Sequence, residues 1–425
     1  MNRNLKKYII FWLSQSVSQL GSAMTSFGLI LWAYTIKHSA LTVSLMSFCN
    51  YVPYIIVSLF AGTFVDRHNK KRIMLLADSV AAGCSVIVLL LTVWNGLQMW
   101  HIYLVNSIIG VMNAFQAPAS SVAIGRIVPK DMLVNISGMN SFSGNLTTVL
   151  TPVLASALFA VSGLRVILLI DLGSFAVAFL VLLFLISIPE SETGEENSVS
   201  VLAGCKEGFV FLAHNRGIFT VVLTMALLNF FSRLTYENIL SPMILSRSGN
   251  NSMALGIVNA VMGIGGIIGG IIVSIGKLSK DNVKMIYVSA VISFLFGDLL
   301  MGAGRNVAAW SVAGAAASLP IPFINAGQNV IFYSKVPDKM QGRVFAVRNA
   351  IQYSTIPIGI FLGGALADYV FEPFMASDCA VAWALHLLVG EGKGSGMAVM
   401  FLCTGILGSL FSYVSYRRKE IQNLR

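Results

Sequence analysis

Four ionisable side chains stand inside otherwise apolar stretches: Arg233 and Glu237, four residues apart, and the separate carboxylates Asp171 and Asp298. A charge at the centre of a bilayer costs about 2.5–3.5 kcal/mol even on insertion scales, so such groups face a partner or a water-filled cavity. Arg233 and Glu237 neutralise each other as an i, i+4 ion pair; in the alternative reading Glu237 carries a proton and releases it as Arg233 moves. Asp171 and Asp298 suit the same proton-coupling role. Amides gather in the same kind of surroundings. Gln15 and Gln19 lie four apart, Asn113 and Gln116 three apart, Asn229 precedes Arg233 and Glu237 at the same helical spacing, and Asn325, Gln328 and Asn329 share one stretch. Any one of these amides is satisfied by an interhelical hydrogen bond, whereas the set, with Arg233 and Glu237, describes the wall of a polar cavity.

The densest charge falls in Gly62-Thr63-Phe64-Val65-Asp66-Arg67-His68-Asn69-Lys70-Lys71-Arg72, between two apolar runs. It reads as a tight loop at a membrane surface. Gly62 admits a neighbouring helix closely, and Asp66 can face Arg67, Arg72 or the positive end of another helix. In the plainer reading, Lys70, Lys71 and Arg72 set topology and nothing else. Asp78, a turn and a half into the following apolar run, is read as a brace for this loop.

These residues need long apolar helices to hold them. The 425 residues are 56% hydrophobic and 11% charged, against roughly a quarter charged in soluble domains, and the mean hydropathy is +0.78. Crossing a bilayer takes about 20 apolar residues. Twelve such helices fit, near 8–35, 42–63, 72–95, 101–125, 134–160, 165–189, 217–242, 252–276, 282–303, 306–333, 341–369 and 394–416. A net charge of +10 would speak for nucleic acid only with a solvated basic face; here the basic residues punctuate apolar runs. With a cytoplasmic N-terminus, 22 of the 28 Lys and Arg fall at that end or in alternate loops, five fall opposite (Lys37, Arg165, Arg247, Arg305, Lys393), and Arg233 is internal. That asymmetry sets the orientation, with both termini cytoplasmic. The basic N-terminal residues before the first run mimic a signal peptide, but no small-residue cleavage site follows, so the first helix is expected to be retained.

The acidic, breaker-rich stretch Pro189–Glu196 reads as a solvated linker, followed by a short amphipathic surface helix with Val201, Leu202, Cys205, Phe209 and Leu212 on one face. The chain thus divides into a bundle at 1–189, a linker at 190–216 and a second bundle at 217–425. An internal repeat agrees: Val128-Pro129-Lys130 and Val336-Pro337-Asp338 lie 208 residues apart, and the same offset places Gly62 on Gly270. Parallel halves of this kind place the binding site between them. Near the C-terminus, residues 377–390 carry Ala380, Trp383, Leu387 and Leu388 on one face of a short surface helix, followed by glycines read as mobile. Gly265 and Gly269, like Gly266 and Gly270, are close-packing glycines with no strand before them and no dinucleotide spacing. Neither a phosphate loop nor a hydrolytic or metal motif is evident, and the five cysteines are scattered, so the chain is read as a non-enzyme with no cofactor.

The spacing Gly62-x-x-x-Asp66-Arg67-x-x-Lys70-Lys71 resembles the loop after the second helix of major facilitator superfamily transporters. Gln19-Leu20-Gly21-Ser22, Leu31-Trp32, Val52-Pro53, Pro337-Asp338-Lys339-Met340-Gln341-Gly342-Arg343-Val344-Phe345 and Pro357-Ile358-Gly359 with Gly363–Asp368 extend the resemblance, which points to the drug-proton antiporter branch with macrolide efflux and enterobactin export proteins. It implies an all-α integral membrane fold, twelve transmembrane helices in two pseudo-symmetric six-helix bundles. It further implies that the loop residues Gly62, Asp66, Arg67, Lys70, Lys71 and Arg72, acting against Arg343, form a conformational switch, and that helices one, four, seven and ten line the cavity. Two departures stand out. The Arg-x-x-Gln-Gly motif of many such antiporters is replaced by Asn106-Ser107-Ile108-Ile109-Gly110, and a span-five motif ending Gly-Pro-x-x-Gly-Gly reads Thr151-Pro152-Val153-Leu154-Ala155-Ser156.

The expected function is secondary active efflux of amphipathic organic compounds, macrolide-like drugs among them, by proton antiport with alternating access. The protein would sit in the plasma or inner membrane as a monomer, driven by the proton gradient, with the bilayer and a small amphipathic substrate as its partners and no nucleic acid. Import, lipid or siderophore transport on the same fold, or a non-transporting scaffold or sensor, are the alternatives.

Overall fold

The computed structural model describes residues 3–127, 133–186, 201–275, 281–337 and 340–424, and every described element is helical. The linker Pro189–Glu196, Val128-Pro129-Lys130, Asp338-Lys339 and the side-chain environments of Gly62, Asp66, Arg67, Val201, Leu202 and Cys205 lie outside the described residues. In chain order the helices are α1 Arg3–Lys37, α2 Ala40–Arg67, α3 Lys70–Val93, α4 Met99–Ile127, α5 Leu133–Leu180, α6 Val201–His214, α7 Arg216–Thr235, α8 Leu240–Arg247, α9 Ser252–Ile275, α10 Asn282–Ile292, α11 Leu299–Ala303 and α12 Val307–Ser318. They continue with α13 Ile321–Lys335, α14 Gln341–Leu366, α15 Glu372–Met375, α16 Ala380–Val389, α17 Ser395–Tyr416 and α18 Lys419–Gln422. Short π-helical turns extend α5, link α10 to α11 and link α14 to α15.

Among the described residues, nine helical segments are long and apolar enough to cross a membrane. One of them, Leu146–Leu185, is 40 residues long, about 60 Å at 1.5 Å per residue and twice the hydrocarbon thickness. It breaks at Gly163, whose φ of 68° and ψ of −166° only glycine adopts without strain. Ala155 before the break and Ile167 after it both pack on Met24, so the two limbs fold back as a hairpin against α1. α1 and α4 are not among the nine, and both carry the amides singled out in the sequence. The expected twelve crossings rest on counting α1, α4 and the second limb of α5 with the nine. Large apolar side chains face outward along the helices, Phe184 at 74% exposure among them, and Trp94 and Trp100 flank the α3–α4 loop. Exposure of this kind suits lipid, with indole rings at the headgroup level.

The chain divides into two compact units: residues 1–38 with 45–194, and 39–44 with 195–425. In the first, α1 lies along α5, and α3 packs on α4 and α5. In the second, α14 packs on α7 and α6, α12 on α9, and α17 on α10. Residues 39–44 join the second unit because Asp368 caps them. Its carboxylate accepts from the Ser39 hydroxyl at 2.6 Å and from the backbone amides of Ala40 and Leu41 at 3.1 and 3.0 Å. An anion at a helix start satisfies amides that have no intrahelical acceptor and meets the positive end of the helix dipole.

Two sequence expectations are corrected. In α6, Phe209 and Leu212 do not share one packed face. Gly208 brings it against the backbone of α14 at Arg343, which buries Leu212 and leaves Phe209 half-exposed. After α16, Gly390, Gly392 and Gly394 take positive φ, and the Gly394 amide donates to Glu372 at 3.1 Å. Of the four glycines of α9, only Gly265 and Gly269 are close-packed, since a Cβ would lie 2.5 Å from Ser318 Oγ and 2.2 Å from the Leu319 carbonyl; at Gly266 and Gly270 it would meet nothing within 4 Å. Overpacking a tight site costs about 1–3 kcal/mol. Gly269→Val is therefore expected to lower the unfolding temperature of the purified protein in detergent, and Gly266→Val to leave it unchanged.

Candidate functional site

The first unit contains a cavity of about 300 Å³ whose wall is drawn from α1, α3, α4 and the second limb of α5. A second cavity of about 480 Å³ adjoins it, and Gln15, Gln19, Asn113 and Gln116 line both. The four amides that the sequence assigns to this half of the cavity are thus brought together at the boundary between the two spaces. Helical spacing explains the α1 wall: Gln15, Ser18, Gln19, Ser22, Thr25 and Ser26 recur at intervals of three and four and form one polar stripe on a helix otherwise apolar. Among the described residues, Gln15 Nε2, and Trp12 Nε1 in the second cavity, are buried and find no hydrogen-bond acceptor. A buried donor with no protein acceptor is available to a guest.

Asp171 is the hub of the first cavity. It is 4% exposed and accepts from Ser22 Oγ at 2.9 Å, Thr25 Oγ1 at 3.0 Å and Ser85 Oγ at 3.0 Å. Three hydroxyls from two helices satisfy a carboxylate on a third, so this group ties α1, α3 and α5 together. Asp78 lines the same cavity and accepts from Gln116 Nε2. It does not serve only the basic loop, as the sequence implies; its side chain turns to α4 because α3 packs there. Among the described residues, no Lys, Arg or His lines either cavity. Asn106, in the stretch that replaces the antiporter arginine, lines the first cavity, and its carbonyl accepts from Asn50 Nδ2 at 3.2 Å.

The loop after α2 is short, His68 and Asn69 only. Asn69 Oδ1 caps α3 by accepting from the Arg72 amide at 2.9 Å, and Lys71 Nζ donates to the carbonyls of Leu183 and Ile186 at 2.9 and 2.7 Å. Lys71 therefore closes the carbonyl end of α5, and Lys70 is buried. Arg343, set against the Asp66 loop by the resemblance, pairs with Glu207 of α6.

In the second unit Arg233 and Glu237 form the i, i+4 ion pair, the first of the two readings given above. Asp298 is 1% exposed, accepts from Thr404 Oγ1 at 2.7 Å and borders neither cavity. Asn325 and Asn329 lie on an exposed face of α13, where Asn329 Oδ1 accepts from Arg348 at 3.2 Å; Gln328 turns into the core, and Asn229 is half-buried. The residues that sequence reasoning missed are Asp78 as a cavity wall and the hydroxyls Ser22, Thr25 and Ser85. The α1 stripe signalled the first two hydroxyls; the spacing of seven between Asp78 and Ser85 signalled the rest.

Polar cavities enclosed by apolar-faced helices define a membrane transporter. The Major Facilitator Superfamily model matches residues 11–360, and the chain belongs to that family. Macrolide efflux protein A of Streptococcus pyogenes is 26% identical over 374 residues, 87% of this chain and 91% of that protein. Macrolide efflux protein A of Enterococcus faecalis is 26% identical over 327 residues, covering 76% and 99%. The fold is also that of the nucleoside transporter NupG, with a TM-score of 0.71 at 12% identity over 97% of this chain and 99% of that one.

The Asp171 hub predicts its own test. Asp171→Val strands three hydroxyls, each buried donor left without an acceptor costing about 1–3 kcal/mol, whereas Asp171→Asn keeps an acceptor oxygen. Thermal unfolding in detergent should show a large drop for the valine variant and a small one for asparagine.

Proposed function

We propose that this protein exports amphipathic organic compounds across the plasma membrane by alternating access, exchanging them for protons, with both termini in the cytoplasm. The observation that carries this reading is the pair of adjoining amide-lined cavities, with buried donors left open to a guest, inside helices whose outer faces are apolar. Such a wall suits a solute with scattered carbonyl and hydroxyl groups on an apolar body. The macrolide efflux relatives support export and a bulky organic substrate. Of the three carboxylates expected to carry protons, Asp171 borders the cavity, Asp298 is buried apart from it and Glu237 is held by Arg233. The Asp66 loop, with Arg343, acts in this reading as the switch between states and touches no substrate.

Inside-out membrane vesicles provide the test. Uptake of a labelled macrolide should follow an imposed proton gradient and collapse with an uncoupler, and Gln19→Leu with Asn113→Leu should cut it several-fold at unchanged protein level. Uptake indifferent to the gradient removes proton exchange; no uptake of any organic solute removes export.

A further inference from the structure

Arg348 stands two turns into α14, inside the segment Arg343–Met375 that is apolar and long enough to cross a membrane. An ionised group in such a segment marks a functional site whose partner is to be named. Its surroundings hold it in place. Cζ stands over two rings, 5.0 Å from the Phe332 centroid and 4.9 Å from that of Phe345. Nε and Nη2 donate to Asn349 Oδ1 at 3.1 and 3.0 Å, and Nη1 donates to Asn329 Oδ1 at 3.2 Å. Cation–π contacts and amide oxygens fix the orientation of the group. Both kinds of partner are neutral, so they position the charge without cancelling it.

The polar atoms that Arg348 and its two amides have left over are donors. The three hydrogen bonds occupy three of the five N–H groups that a guanidinium carries. Each asparagine turns its oxygen to Arg348, so its amino group is directed elsewhere and remains a donor. Asn325, Asn329 and Tyr333 recur every four residues along α13 and share its exposed side. Tyr333 packs edge-on against Phe345 with centroids 5.1 Å apart, and the phenols of Tyr353 and Tyr333 interact electrostatically with Arg348. Tyr333 is 59% and Tyr353 52% exposed. The patch therefore combines a fixed positive charge, spare donors and open aromatic surface. Amides and a guanidinium are not turned to hydrocarbon, so this side of α13 and α14 meets water or a solute.

We infer that the Arg348 patch is a binding site for an organic anion, a carboxylate carried on an aromatic body. A carboxylate has two oxygens that only accept, and it meets a guanidinium and amide donors through charge-assisted hydrogen bonds. Because Arg348 is already oriented, little side-chain freedom remains to be lost when the guest arrives. The tyrosine rings supply flat area for the apolar part of the guest. The site belongs to the second unit and shares no residue with the amide-lined cavities of the first. Its place in transport rests on the export reading, to which it adds amphipathic acids as substrates; the binding itself does not. The phosphate of a lipid headgroup has related chemistry, but the side that carries Asn325, Asn329 and Tyr333 is polar along its length and suits a dissolved solute.

Calorimetric titration of the purified full-length protein in detergent tests the site, with 2-naphthoate and its uncharged counterpart 2-naphthamide as probes. Wild type should bind the acid about tenfold or more tightly than the amide. Arg348→Gln should bring the two to equal affinity and leave amide binding as in wild type. Arg348→Lys should recover only part of the difference, since an ammonium lacks the fork. Asn329→Asp, at an exposed position, supplies an internal carboxylate and should weaken naphthoate binding with Arg348 still present. Lys335→Gln, which removes an exposed charge from the same helix, should bind both probes as wild type does. Equal affinity for acid and amide in wild type, or a preference for the acid that survives Asn329→Asp and Arg348→Gln, would overturn the site. If Arg348→Gln fails to fold, Asn329→Asp alone decides. Displacement of naphthoate by phosphatidylglycerol micelles and not by benzoate would give the patch to a lipid headgroup and overturn the solute assignment. Macrolide uptake in vesicles decides the export reading separately, so either reading can fail while the other stands.

Discussion

Hydrocarbon offers no partner to a carboxylate, and the first unit is arranged around that fact. Asp171 can lie inside the bundle only because three hydroxyls reach it from two other helices. Each of those hydroxyls belongs to the cavity wall. The group that would be most costly alone therefore sets the relative placement of α1, α3 and α5, and the cavity is the space that this placement leaves. The amides of α1 and α4 then face a volume they can solvate, and the helices keep apolar faces for the lipid.

The second unit solves the same problem differently. Arg233 and Glu237 cancel one another one turn apart on the same chain segment, and Asp298 is closed off with Thr404. Tyr236 is also buried close by, its ring packed edge-on against Phe401. Neither arrangement leaves acceptor capacity facing an open space comparable to that beside Asp78. The units thus differ in where their carboxylates stand: one keeps Asp78 and Asp171 on a cavity wall, the other pairs Glu237 with Arg233 and closes Asp298 off with Thr404.

Much of this was legible in the sequence. Long apolar runs and the one-sided distribution of Lys and Arg give the helices, and the amides Gln15, Gln19, Asn113 and Gln116 do share a cavity, because helical spacing alone fixes which face they occupy. What could not be read were contacts between distant segments. Gln116 lies 38 residues from Asp78, and charge proximity along the chain pointed Asp78 to the loop instead. Ser22, Thr25 and Ser85 are ordinary residues in a membrane helix until a carboxylate is placed between them. Phe209 and Leu212 look alike on a helical wheel, and only the approach permitted by Gly208 separates them. In α9 the glycines at 265 and 269 and those at 266 and 270 have the same spacing, so the sequence has no means of telling the packed pair from the open one.

The cap on α2 carries a consequence for the chain as a covalent object. The first amides of that helix, at residues 40 and 41, find their acceptor in Asp368, more than three hundred residues later. During synthesis α2 therefore leaves the ribosome without that acceptor, which exists only once α14 and the turn after it have been made. An N-terminal fragment severed in the linker would keep that defect permanently. The chain cannot complete its second helix until its fourteenth has been made.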